Sequence, residues 1–101
     1  MSNIEHAREA LLRRILEGHG NASPSDRRAA FDNSGLGESL CQLVDKVARN
    51  PRGIADEDID RARQSGLSED QIFEIVVCAA IGQATRQYDS AKAALESARG
   101  N

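Results

Sequence analysis

Residues 68–84 read SEDQIFEIVVCAAIGQA. Ser68, with Gln71 three positions later, fits a capping box, in which the two residues satisfy each other's orphan backbone donors at a helix start. From Ile72 to Ala84 almost every position is apolar: Ile72, Phe73, Ile75, Val76, Val77, Cys78, Ala79, Ala80, Ile81. No breaker follows until about Ala98, so the pattern predicts one helix of ~30 residues, ~45 Å long at 1.5 Å per residue. A helix that is apolar all round is buried all round. A rod of that length exceeds the diameter of a single domain of this size, so its far end is expected to project or to pack on another subunit. The Ala-Ala-x-Gly step at 79–82 also lets neighbouring backbones approach closely. All-round burial is easiest in a small chain when a second copy covers the far face, and a homo-oligomer is the expectation.

Upstream, helix signals alternate with stops. Ile4, Ala7, Leu11, Leu12 and Ile15 share one face of a first helix over about 3–17, ended by Gly18-His19-Gly20-Asn21. Ser23-Pro24 restarts the chain, with Ser as cap and Pro at the first helical position, and this short helix ends near Asn33. A third helix over about 37–49 carries Leu40, Leu43, Val44 and Val47 as its stripe, with Cys41 beside it, and stops at Asn50-Pro51. A fourth opens at Ala55 or Asp56 with Asp56, Glu57, Asp58 and Asp60, carboxylates suited to a helix N-terminus, and closes at Gly66-Leu67. The prediction is one all-α domain over residues 1–101 with about five helices and a long buried C-terminal helix.

Bulk properties bound the function. The chain has 101 residues, 40% hydrophobic and 29% charged, with only Phe31, Phe73 and Tyr88 as aromatics. A core of Leu, Ile, Val and Ala buries little area per side chain, at roughly 25 cal/mol per Å², which again favours self-association. A net charge of -3 argues against nucleic acid, which needs a basic face. The pairs Arg13-Arg14 and Arg27-Arg28 read as solvated helix surface. The opening MSNIEHAREALLRR has no stretch apolar enough for a secretory leader and no segment suits a membrane span. A cytoplasmic protein with Cys41 and Cys78 as free thiols is expected.

The region from Leu40-Cys41-Gln42-Leu43-Val44-Asp45-Lys46-Val47 through Asp56-Glu57-Asp58-Ile59, and the run Gly66-Leu67-Ser68-Glu69-Asp70-Gln71-Ile72-Phe73-Glu74 followed by the Ala/Val-rich helix through Arg86, resembles the carboxymuconolactone decarboxylase and alkylhydroperoxidase-D-like superfamily. The resemblance covers roughly residues 37–98 and leaves the N-terminal helices, 1–36, outside it. It implies an all-α, alkylhydroperoxidase-D-like fold and assembly into dimers, trimers or hexamers. Redox members carry Cys-x-x-Cys, a later His and an upstream Glu. Counted back from Gly66, the cysteine positions fall near Pro51 and Ile54 and the His near Asp58, and none matches. The redox relay is therefore absent, and the acid/base residues of the decarboxylating members have no counterpart that the sequence identifies.

The remaining groups carry two readings each. Cys41 and Cys78 are small core hydrophobes or a redox pair that meets if the third and last helices pack together. His6 and His19 have no metal-ligand spacing and read as solvated; no metal or other cofactor is expected. Asp56-x-Asp58-x-Asp60 lacks the Gly and Glu of a calcium loop. Glu74, Arg86 and Tyr88 read as members of structural ion pairs, or as the lining of a pocket for a small-molecule ligand. The leading expectation is a non-catalytic oligomeric binding or accessory protein. The alternative is a thiol-dependent peroxidase or disulfide reductase, or a carboxymuconolactone-decarboxylase-like enzyme.

Overall fold

The computed structural model describes residues 2–100. Five α-helices follow in order: α1 Ser2–Glu17, α2 Pro24–Asp32, α3 Glu38–Arg49, α4 Asp56–Gln64 and α5 Glu69–Arg99, with a single 3-10 turn, Pro51–Gly53, between α3 and α4. The capping signals act as written in the sequence. The Ser23 hydroxyl accepts from the Asp26 amide at 3.1 Å. Ser68 and Gln71 close a reciprocal box, with the Gln71 backbone amide donating to the Ser68 hydroxyl and the Ser68 backbone amide donating to the Gln71 side-chain Oε1. Asn33 takes a left-handed conformation that ends α2, and Gly66, at φ +102°, makes the reversal into α5.

The last helix is the backbone of the molecule. Helices α2 and α3 pack on its first half, and α4 lies against α3 and the start of α5. Helix α1 runs antiparallel along its length: the Ile15 carbonyl lies beside Cys78, Arg8 pairs with Asp89 at 3.0 Å, and Glu5 pairs with Lys92 at 2.7 Å. The molecule is elongated, 52 × 29 × 20 Å, as a 31-residue helix requires. The core collects Leu16 from α1, Ala30 from α2, Leu43 and Val44 from α3, Ala62 from α4, and Ile75, Cys78 and Ala79 from α5. Burial of each large aliphatic among them contributes about 1.5–3 kcal/mol.

One approach is closer than the rest. A Cβ on Gly82 would lie 2.0 Å from the Phe31 carbonyl oxygen at the end of α2. Arg86, one turn on, donates to that same oxygen at 2.6 Å. The small-residue step in α5 thus admits the α2 backbone itself.

Within one chain, α5 is covered mainly on one side. Its buried side is Ile72, Ile75, Cys78, Ala79 and Gly82. The opposite side is bare within the chain: Phe73 is 68% exposed, Tyr88 48% and Leu95 57%, and Ala80, Ala84 and Ala91 are exposed too. Four helices that share one side of a rod leave most of the other uncovered, apart from Arg8 of α1 over Tyr88. Among the described residues, no helix is long and apolar enough to cross a membrane.

Candidate functional site

A cleft of about 320 Å³ opens where the end of α1, the loop over residues 18–22 and α5 meet. Its wall includes Arg14, Ile15, His19, Arg27, Glu74 and Cys78. Each group is placed by a local cause. Gly18 ends α1, and the loop crosses α5 at Glu74. The Glu74 carboxylate accepts the Asn21 amide at 2.9 Å and the Ala22 amide at 3.0 Å, while Gln71 donates to the Asn21 carbonyl at 3.1 Å. One turn of α5 therefore clamps the loop through its backbone. A Cβ at position 20 would lie 2.6 Å from a Glu74 oxygen, so glycine is needed there.

Arg27 follows from the first turn of α2 and points inward. It is only 4% exposed. Its Nη1 donates to the Ile15 carbonyl at 3.0 Å, and its Nε is buried without a partner. No ion pair within 4.0 Å neutralises it among the described residues. The Ala22 amide foremost, then Asn21 and the Arg27 charge, hold the Glu74 carboxyl below the usual carboxylate range against the opposing effect of its burial. Burial pushes the Cys78 thiol up. Backbone donors thus favour the ionised form of Glu74 and burial favours the protonated form of the Cys78 thiol.

The residues singled out from sequence are dispersed. Cys41 is exposed on α3 and Cys78 is buried on α5, both as free thiols. The expectation that both are core hydrophobes is thus corrected for Cys41, which sits one position off the Leu40, Leu43, Val44 stripe. Glu74 belongs to the loop clamp. Arg86 meets the Phe31 carbonyl and the Gln83 side chain, at 2.6 and 3.2 Å, rather than a carboxylate. Tyr88 lies under the Arg8 guanidinium, 5.3 Å from ring centroid to charge. Glu74, Arg86 and Tyr88 therefore do not line one pocket. His19 is exposed at the mouth of the cleft. Among the described residues no group of three His, Cys, Asp or Glu is arranged to hold a metal.

Sequence reasoning missed Arg27 and Asp58. Arg28, paired with the exposed Asp32 at 3.5 Å, is the solvated member of its doublet. Arg27 shares the inner face of α2 with Ala30, three positions on, and that spacing was the available signal. Asp58 is 1% exposed and saturated: Lys46 reaches both its oxygens, at 3.1 and 2.9 Å, and the Ala55 amide donates at 2.8 Å. Asp58 thus caps α4 and ties it to α3.

The Ala55 amide and then Lys46 hold the Asp58 carboxyl below its usual range. A depressed folded-state pKa means that this stabilisation is complete above the unfolded carboxylate value, near 4, and is lost as pH falls through the folded one. Melting temperature is expected to be level from pH 7 to about 5 and to fall steeply below about pH 4. Asp58→Asn should melt lower at pH 7 and show a shallower acid decline in calorimetry. An acid decline identical to that of the wild type would refute this assignment.

No family model, curated protein or solved structure matches the chain.

Proposed function

We propose that this chain is a non-catalytic accessory protein of the cytoplasm, an alkylhydroperoxidase-D-like scaffold without its redox centre, that works as a homo-oligomer. The observation that carries the reading is the bare side of α5. Phe73, Val77, Ala80, Ala84, Tyr88, Ala91 and Leu95 recur at intervals of three and four residues, which places them in one stripe. It runs for about 33 Å at 1.5 Å per residue. A monomer seldom leaves a continuous apolar strip of that length to water. The alanines let a second helix approach closely, and the larger residues at the two ends supply contact area. A second copy, offering the same stripe across a two-fold axis, is the occupant this pattern suits.

The non-catalytic half rests on the thiols and on Asp58. Cys78 is buried with its proton retained, Cys41 is on another helix facing solvent, and neither has a resolving partner bonded to it. Light scattering coupled to gel filtration tests the assembly. A dimer or larger closed oligomer is expected at micromolar concentration, and Ala80→Glu with Ala84→Glu should yield a helical monomer. A wild-type monomer would overturn the assembly. Consumption of an organic hydroperoxide at an enzymatic rate, abolished by Cys41→Ser, would overturn the absence of catalysis.

A further inference from the structure

We propose that the cleft beside Glu74 binds an organic monocarboxylate with a compact apolar body, held by Arg27. A guanidinium that is 4% exposed with no carboxylate within ion-pair distance is an expensive group to bury. Its Nη1 is spent on the Ile15 carbonyl. What lacks a protein partner is Nε, and a carboxylate that takes Nε and Nη2 together would satisfy it through two parallel hydrogen bonds. Arg14 and His19 stand on the same cleft wall and add donors at the mouth.

The rest of the lining selects within the anions. Ile15, Phe73, Val77 and the Cys78 sulfur form an apolar side that offers a phosphate or a sugar nothing. Glu74 stays ionised on its backbone clamp, so a dianion would meet a fixed negative charge that a single carboxylate meets at half strength. The volume, about 320 Å³, lies at the small end of organic-ligand sites. A short aliphatic or single-ring acid fits these constraints.

The test is a nitrogen-15 NMR titration of the full chain, in the oligomeric state it adopts, with hexanoate, and in parallel with hexanol and inorganic phosphate. Hexanoate should give saturable shifts at the Gly20 and Cys78 amides and at the Arg27 Nε–H, with a Kd at or below about 1 mM. Hexanol and phosphate should bind at least about tenfold more weakly, which is the loss of about 1.4 kcal/mol. Arg27→Lys keeps the charge and removes the two-donor edge, and should weaken hexanoate about tenfold. Arg14 is exposed on the cleft wall; Arg14→Glu should weaken hexanoate several-fold with an unchanged melting temperature. No saturable shift up to about 20 mM hexanoate, equal binding of phosphate, or indifference to both variants would overturn the proposal. Phe73 and Val77 belong to both the cleft and the stripe, but Arg27 and Arg14 do not belong to the stripe, so light scattering on the two variants separates failure here from failure of the oligomer.

Discussion

Replacing Gly82 by Ala should destabilise the protein by about 3 kcal/mol, the upper part of the range for overpacked cores. At roughly 4–8 °C per kcal/mol for a domain of this size, the melting temperature should fall by about 15 °C. The new methyl would sit 2.0 Å from the Phe31 oxygen and 2.7 Å from its carbonyl carbon. Both are backbone atoms, which no rotamer change moves aside, so α2 and α5 must separate. That separation loosens the most extensive helix pair in the fold and stretches the Arg86 bond to the same carbonyl. Intrinsic propensity works in the opposite direction: at an open helical site Gly→Ala would stabilise by about 1 kcal/mol. The sign of the change therefore decides the matter. A thermal melt at or above the wild-type value would show that α2 does not approach α5 as closely as described.

Leu43→Ala should cost a similar amount, about 3 kcal/mol within the usual 2–5 for a fully buried leucine. Leu43 has no exposed surface, and its cluster includes Ala30, Ala62 and Ala79. Side chains that short have no reach with which to fill the space a leucine leaves, so the cavity term is expected to persist. For a domain whose net stability is of order 5–15 kcal/mol, this single change removes a large fraction. Urea denaturation measures it directly. Leu11→Ala provides the contrast: Leu11 is 54% exposed and its loss should stay within about 0.5 kcal/mol. Equal costs at the two positions would mean that the core is not centred on α3 and α5.

The helices were legible because their ends are written locally. Ser68 with Gln71, Ser23 before Pro24, Asn50-Pro51 and Gly66 each act within a few residues, and none needs a tertiary partner. The site was less legible because it depends on which elements meet. In the Arg27-Arg28 doublet only the three-residue spacing of Arg27 from Ala30 separates the two members, and its meaning emerges when α2 is laid on its neighbours, where one guanidinium turns inward and the other stays with Asp32. Asp58 looks like any first-turn carboxylate until Lys46 arrives from α3, twelve positions away. The apolar run of α5 predicted burial of the whole circumference with a second copy over the far face, and within one chain the other helices cover one side. Glu74, Arg86 and Tyr88, chosen as polar residues beside a buried run, are taken up separately by α5's contacts with the 18–22 loop, α2 and α1.

The arrangement of every helix on α5 also has a consequence for vectorial synthesis. Helix α2 is made early, but the carbonyl at Phe31 finds its donor on Arg86, 55 residues later. At about 5–20 residues per second, the wait is roughly 3–11 s. Through that interval α1 can meet mainly α2, and α3 mainly α4, so the apolar faces meant for α5 remain open to chaperones, which makes the emergence of α5 from the ribosome the event that commits the chain to its native form.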